Sequence, residues 1–324
     1  MNIGIFTDCY LPTKNGVVTS IIHLKEGLER RGHKVVLFTV RSPRDETHTP
    51  HIHRFPSLPA LPQIDVRLGL IRQPTVNRLV QRERLDILHT HTEFSLGVAA
   101  KRAAKHLNLP RVHTMHTMYD AYRHYVWGGR FVSTGMIQGW IRWFLRDCSA
   151  VICPSQKARH YLNAFLPSLN ACVIGNGVSQ QRFSPHLLSP QERRQIRATL
   201  GIEPSDDVIL SVGRLAQEKR TCELLDALGP HLRRNPHMKI VFVGDGPSRD
   251  TMRRAAATGN IGAQVIFTGY VAWERIPAIY AIADLFVTAS LSEMHPMTVI
   301  EACMCGLPVI ARRDICYADL VKDG

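Results

Sequence analysis

A chain of 324 residues, 45% of them hydrophobic, is long enough for two domains of ordinary size with packed cores, which sets aside a disordered chain. Its 40 lysines and arginines against 27 acidic residues give a net charge of +13, and the surplus is one-sided: residues 1–177 carry 23 basic and 11 acidic side chains, residues 178–324 carry 17 and 16. A field of that kind points to a large anionic partner, either a membrane leaflet or a nucleic acid. No apolar stretch approaches a membrane span, and the opening Met1-Asn2-Ile3-Gly4-Ile5-Phe6 reads as a strand rather than a basic leader. The eight cysteines form no Cys-x-x-Cys pair, and Cys303-x-Cys305 falls in what reads as a buried helix, so reduced core thiols and a cytosolic chain are expected.

Taken in order, Ile3 to Phe6 is an apolar strand, and the loop from Thr7 to Gly16 leads into a helix whose Val17, Ile21, Leu24 and Leu28 mark one inward face. That helix ends near Gly32, and a second strand, Lys34 to Val40, completes a βαβ unit, the opening of a doubly wound α/β domain. Gly16 falls where a helix N-terminus presents free amides, a natural seat for phosphate; a glycine needed only for the turn is the plainer reading. The stretch is not Gly-x-Gly-x-x-Gly, which argues against a nicotinamide dinucleotide. Residues 43–66 are rich in proline and histidine and read as loop. From Arg67 to Leu85, Leu68, Ile71, Val76, Leu79 and Val80 alternate at helical intervals with Arg67, Arg72, Arg78, Arg82 and Arg84. That pattern suits a basic amphipathic helix lying on an anionic membrane, and equally a surface helix packed on the sheet.

A strand from Asp86 to His89 is followed by a helix from about Leu96 to Leu107 and a strand from Arg111 to Thr114. His89, His91, Glu93, His113 and His116 invite a metal site, but they come from separate strand ends and loops without a His-x-x-x-His helix, so no metal is expected. His116, just past a strand end, reads either as lining the ligand crevice or as a histidine satisfied in the core. Between Arg130 and Arg146, Phe131, Ile137, Trp140, Ile141, Trp143 and Phe144 sit beside Arg130, Arg142 and Arg146. Tryptophans near arginines suit a bilayer interface, while the helical spacing also suits core packing. Val151 to Ser155 reads as a late strand.

The second half repeats the alternation, with strands at Val208–Val212, Lys239–Val243, Gln264–Thr268, Asp284–Thr288 and Pro308–Ala311. Arg214 and Lys219 follow the first of these strands, where two cations can reach a diphosphate. Glu293 falls on the loop after Asp284–Thr288, and Glu301, eight residues on, falls about one and a half turns into a helix entered at Pro296.

The phrase from Leu291 to Ile310, with its two glutamates, Glu301-Ala302 and Cys305-Gly306-Leu307-Pro308-Val309-Ile310, resembles the signature of retaining glycosyltransferases of GT-B architecture. These use a nucleotide-sugar and have two facing Rossmann-like domains. Gly213-Arg214-Leu215 with Glu218-Lys219 matches a further motif of the same enzymes. In the first half, His91-Thr92-Glu93-Phe94-Ser95-Leu96-Gly97, His116-Thr117-Met118-Tyr119, Gly16-Val17-Val18-Thr19-Ser20 and Leu24-Lys25-Glu26-Gly27-Leu28 look like the bacterial diacylglycerol glucosyltransferases, the monoglucosyldiacylglycerol synthases. Val173 to Val178 resembles their exit into the second domain, which places domains at 1–177, facing acceptor and membrane, and 178–324, binding the nucleotide-sugar.

The resemblance implies that Glu301 accepts hydrogen bonds from the ribose hydroxyls and Glu293 contacts the donor sugar. Arg214, Lys219 and the amides near Gly16 would hold the diphosphate, the nucleotide base would lie against Val271, and His116 would help hold donor sugar and acceptor. No Asp-x-Asp pair is present, so no cofactor or metal is expected. The implied reaction moves glucose from UDP-glucose to a diacylglycerol-type lipid, with retention, by an enzyme peripheral on the cytoplasmic face of the membrane. The same fold acting on a soluble sugar or phosphosugar, and a non-catalytic binding protein, are the alternatives. A nucleic-acid partner explains the charge but not the four motif residues, and none is expected. Two departures stand out: Met294-His295-Pro296-Met297 replaces the family's Gly-Phe-Gly-Leu, leaving the donor open, and relatives continue past Gly324, so the C-terminal domain is expected to be incomplete.

Overall fold

A computed structural model describes residues 1–13, 15–43, 49–61, 66–122, 133–318 and 320–322, and the chain divides into two units, Met1–Gly177 and Val178–Gly324. In the first, β1 (Asn2–Phe6) leads to α1 (Gly16–Arg30), where the Asn15 side chain caps the helix by accepting from Val18 N at 3.0 Å, and the chain returns as β2 (Lys34–Val40). There follow β3 (Ile52–Phe55), an antiparallel ribbon of β4 (Ser57–Leu61) and β5 (Val66–Gly69), α2 (Gln73–Arg82), β6 (Ile87–Thr90) and α3 (Ser95–Leu107). The unit closes with β7 (Arg111–Thr114), the single turn α4 (Tyr119–Tyr122), α5 (Thr134–Leu145), β8 (Ala150–Cys153), α6 (Gln156–Asn163) and β9 (Ala171–Val173).

Seven of these strands pair in parallel in the order β3-β2-β1-β6-β7-β8-β9. Val35, Val36, Leu37 and Phe38 are all buried, as expected of a parallel sheet covered on both faces. The order reverses between β1 and β6, so the loops leaving their C-terminal ends diverge and open a crevice. One carboxylate bridges that reversal. Asp8 Oδ1 accepts from Leu96 N at 3.0 Å and from the Ser95 hydroxyl, and Oδ2 accepts from the Thr92 hydroxyl at 2.6 Å. The N-cap residue of α3, Phe94, offers no side-chain cap, so a residue from the end of β1 satisfies the helix's first turn. Burial raises the Asp8 pKa, and these hydrogen bonds oppose the rise.

Three expectations change in this unit. Residues 43–66, read as loop, contain β3, which extends the parallel sheet beside β2, and β4 of the ribbon. The basic amphipathic helix expected from Arg67 to Leu85 is two elements: Arg67 and Leu68 lie on β5, where Arg67 donates to the Ser57 hydroxyl and carbonyl, and α2 starts only at Gln73. Val76 and Val80 of α2 pack with Leu96, Ala99, Ala100 and Ala103 of α3, so that stripe lies in the core, with Arg72, Arg78 and Arg82 outside it and exposed. In α1 the inward face centres on Val18 and Ile21, with Val17 only half-buried.

The second unit comprises α7 (Pro190–Thr199), β10 (Asp207–Val212), α8 (Thr221–Arg234), β11 (Met238–Val243), α9 (Arg249–Thr258), β12 (Val265–Gly269), α10 (Ile276–Ala281), β13 (Leu285–Thr288), α11 (Met297–Met304) and β14 (Val309–Ala311). All five strands are parallel in the order β12-β11-β10-β13-β14, again reversing at the first strand, and each falls within one residue of its expected bounds. Val241, Tyr280, Phe286 and Val299 fill one side of the sheet and Leu225, Phe242 and Met252 the other. The eight cysteines are free; Cys305 is buried as expected, but Cys303 is exposed, because the short α11 turns it away from the core.

Packing around α3 makes a direct prediction. A Cβ on Gly97 would lie 1.9 Å from the Thr92 carbonyl oxygen, whereas one on Gly27, in the middle of α1, would meet nothing within 4 Å. Gly97→Ala is expected to destabilise the chain by about 1–3 kcal/mol or more in denaturant unfolding. Gly27→Ala is expected to stabilise it by roughly 0.5–1 kcal/mol.

Candidate active site

The second unit's crevice lies between the loops that follow β10 and β13. The first loop is held by two glycines with positive φ, Gly213 (149°) and Gly244 (126°), and a Cβ on Gly244 would be 2.1 Å from the Gly213 carbonyl oxygen. Leu215 N donates to Asp245 O at 3.1 Å and Ser248 N to Leu215 O at 2.9 Å, so the backbone on either side of the half-buried Arg214 is fixed. Beyond it Lys219 ends a short 3-10 turn, and its Nζ donates to Glu293 Oε1 at 2.6 Å. The two residues named for diphosphate and donor sugar therefore touch across the reversal of the sheet.

Glu301 sits in the second turn of α11 and is 5% exposed. Its Oε2 accepts from the hydroxyl of Tyr280, in α10, at 2.8 Å. Burial pushes the Glu301 carboxyl up to about 7; the Tyr280 hydrogen bond and the Arg182 charge work against that rise. Arg182 itself lies over the Trp273 ring at 3.3 Å from its centroid. Val271, two residues past β12, is half-buried and packs on the core that contains Tyr280. Pro296 is the N-cap residue of α11, accepting from Val299 N and Ile300 N through its carbonyl.

In the first unit His116 lies two residues past β7, half-buried, with its Nε2 2.8 Å from His91 Nδ1. His89 Nε2 is 2.7 Å from the Thr114 hydroxyl, and its ring lies tilted by 35° against that of His91, centroids 4.2 Å apart. His113 Nε2 lies 3.1 Å from Glu93 Oε1, and its Nδ1 lies 2.9 Å from the Thr90 hydroxyl. A carboxylate only accepts, so His113 donates to it from Nε2. Glu93 also accepts from the Tyr119 hydroxyl, whose pKa burial and Glu93 push well up. Burial, with neighbouring histidines, lowers His89 and His116 to about 3 and His91 well below its usual value, so all three are neutral near pH 7. Among the described residues no group of three or more histidine, cysteine or acidic side chains is placed to hold a metal.

Gly16 is the first residue of α1, exposed and helical, and a Cβ there would meet nothing within 4 Å, so the fold itself does not require glycine. On α5, Ile141, Phe144 and Leu145 are buried, while Met136, Trp140 and Trp143 form an outward stripe; the tryptophans are 41% and 40% exposed with ring centroids 4.8 Å apart. Arg130 and Phe131, included in the expected helix, lie outside the described residues. Asp8, Tyr280 and Arg182 escaped the sequence reading. A carboxylate directly after the first strand of a doubly wound sheet was the available signal for Asp8, whereas nothing local marks Tyr280 or Arg182.

Two Rossmann-like units, the second carrying its charged side chains where such sheets bind ligands, define a GT-B glycosyltransferase. The family described as Glycosyltransferase Family 4 matches residues 14–182, and that described as Glycosyl transferases group 1 matches residues 192–324. An alpha-monoglucosyldiacylglycerol synthase of Streptococcus pneumoniae is 34% identical over all of this chain and 74% of its own length; that of Acholeplasma laidlawii is 30% identical over all of this chain and 83% of its own. Among solved structures, Anabaena HepE in complex with UDP and glucose superposes with a TM-score of 0.77 at 21% identity, covering 100% of this chain and 84% of HepE. The chain belongs to this glycosyltransferase family, and as an enzyme it is a nucleotide-sugar-dependent hexosyltransferase.

The buried Glu301 predicts its own signature. Its folded pKa, about 7, lies above the ordinary 4.5, so the folded state favours the protonated acid and stability is lost as pH rises from 4.5 to 7. Glu301→Gln is expected to raise thermal stability at pH 8 by up to roughly 3 kcal/mol, with the gain fading towards pH 4.5. A gain that did not depend on pH would contradict it.

Proposed function

We propose that this protein transfers glucose from UDP-glucose, with retention of configuration, to a diacylglycerol-type lipid at a membrane surface. The observation that carries the reading is the 2.6 Å contact between Lys219 and Glu293 at the reversal of the second sheet. It supplies a cation for phosphate beside a carboxylate for sugar hydroxyls, and the names of the two relatives supply the acceptor class.

In this mechanism the acceptor oxygen bonds to the anomeric carbon from the same face on which the bond to the diphosphate breaks. The acceptor's proton passes to the departing phosphate oxygen, so no protein nucleophile is needed. Arg214 and Lys219 neutralise the charge developing on the diphosphate, with the first-turn amides near Gly16 as further donors and no metal invoked. Glu293 orients the donor sugar, Glu301 the ribose, Val271 lies against the base, and neutral His116 donates or accepts a hydrogen bond at the sugar and acceptor.

The lipid reading draws on the basic surplus of residues 1–177 and on the outward Met136, Trp140 and Trp143 stripe, flanked by Lys101 with its Nζ 5.2 Å from the Trp143 ring centre. On the ribbon, Leu58 and Leu68 are paired across the strands and, like Leu70, exposed. Arg67, Arg72, Arg78 and Arg82 contribute to the field that attracts an anionic leaflet rather than lining an inserted helix. No helix among the described residues is long and apolar enough to cross a membrane. Our reading, which rests on the basic surplus and the tryptophan stripe, is a peripheral enzyme at the cytoplasmic membrane surface.

Incubated with UDP-glucose and vesicles containing diacylglycerol, the protein is expected to form an α-glucosyl lipid, and Lys219→Ala to lower turnover by about 10²- to 10³-fold. Product from none of a panel of sugar nucleotides would reject the reading. In flotation, Trp140→Ser with Trp143→Ser is expected to reduce recovery with anionic vesicles. Transfer to a soluble sugar without vesicle binding would move the assignment to a soluble acceptor.

A further inference from the structure

α10 and α11 meet at one buried polar contact that the reaction as described does not use. Tyr280 has no exposed surface; its ring lies edge-on to Phe183 at 5.8 Å and stacked on Phe286 at 5.9 Å. Its hydroxyl is 2.8 Å from Glu301 Oε2 and 3.1 Å from the Thr298 carbonyl oxygen. A phenol has a single proton, and the carboxylate is the stronger acceptor, so the proton points to Glu301. No other hydrogen bond to the Glu301 carboxylate is formed among the described residues, which leaves Oε1 open to a ligand.

A ribose presents two neighbouring hydroxyls as donors, and a carboxylate receives both only if its plane is fixed. An unanchored glutamate must lose side-chain freedom on binding, roughly 1–2 kcal/mol of rotamer entropy. The aromatic packing holds the phenol, and the phenol holds one carboxylate oxygen.

We infer that Tyr280 is a positioning residue for the nucleotide: its hydroxyl anchors Glu301 Oε2 so that Oε1 is presented to the ribose. This rests on the assignment of Glu301 to the ribose. The groups around the carboxyl act in opposite senses. Burial favours its neutral form, while the Tyr280 hydrogen bond and the charge of Arg182 favour the carboxylate. Cys305, whose thiol burial pushes up to about 11, stays neutral beside it. Tyr280 remains protonated throughout, because burial and Glu301 push its pKa well up. Removing the hydroxyl therefore loosens the carboxylate and shifts it further towards the acid form.

The test is calorimetric titration of the whole chain with UDP, and with ADP and GDP alongside, from pH 6 to pH 9. Wild type, Tyr280→Phe, Glu301→Gln and the double variant are compared, with thermal midpoints recorded for each. Tyr280→Phe is expected to bind about tenfold more weakly near pH 7.5, the loss of one hydrogen bond to a charged group, with its pH inflection displaced upward. The double variant is expected to bind no more weakly than Glu301→Gln alone. Unchanged affinity and inflection in a Tyr280→Phe protein of wild-type midpoint overturns the inference while leaving the ribose assignment standing. If Glu301→Gln binds every nucleotide as tightly as wild type, the ribose assignment falls and the inference with it. Should Tyr280→Phe fail to fold, a fluorinated tyrosine at 280 keeps the hydroxyl and makes it a stronger donor. The inflection is then expected to move to lower pH, and no movement overturns the inference.

Discussion

The constraint on which the second unit's chemistry depends is the reversal of strand order at β10. Parallel strands force every connection over the faces of the sheet, so only where neighbouring loops leave in opposite directions does the C-terminal edge stay open. Lys219 arrives there on the loop after β10 and Glu293 on the loop after β13, and they meet at 2.6 Å. Each side chain is 21% exposed, so the pair is partly buried while an edge of it stays within reach of solvent. A charge pair that joins two loops at the open edge of a sheet stands where such sheets bind ligands. In the proposed reaction a diphosphate would compete with Glu293 for Lys219 and free the carboxylate for the sugar hydroxyls.

The first unit solves a different problem at its own reversal. Asp8 ties β1 to the loop after β6 and to the first turn of α3, and Gly97 lets that turn approach the Thr92 carbonyl. The histidines beyond it are bonded, His89 to Thr114, His113 to Thr90 and Glu93, His91 to His116, and burial keeps His89, His91 and His116 neutral. A buried neutral imidazole carries no charge to desolvate, and even His91, whose Nε2 is buried without a hydrogen-bond partner, leaves only a neutral group unsatisfied. His116 therefore offers a hydrogen bond rather than a positive charge.

How much of this was legible depended on whether the information was local. The five strands of the second unit stand out because each is a short apolar run bounded by breakers, and sheet burial on both faces makes such runs continuous. Lys219 and Glu293 could be singled out because each lies on the loop after such a strand, and Glu301 because it belongs to the same family phrase as Glu293. The region from 43 to 85 was misread because its periodicity belongs to two elements: Leu68 is on the ribbon, whereas Val76 and Val80 are on α2, and the spacing between them is an accident of the connection. Strand β3 was missed because its His53 and Arg54 do not look like a strand interior; only pairing beside β2 makes them one. Tyr280 was illegible for a further reason: its partner lies 21 residues away in another helix, and no pattern in either helix announces the contact.

That contact also shows why a site of this kind is demanding to build. In its proposed role Glu301 must be buried deeply enough to exclude water from a ribose, yet burial alone favours the neutral acid, which accepts hydrogen bonds poorly. A nearby full charge would restore the carboxylate but would bind it as a salt bridge and leave less of it for the ligand. A neutral phenol favours the charged form through one oxygen and leaves the other unclaimed, while the cation, Arg182, acts through its field with its guanidinium over Trp273. The fold thus tolerates an acid poised near neutrality inside its core, a stability disadvantage that has a physical reason only if something outside the chain completes the carboxylate's bonding.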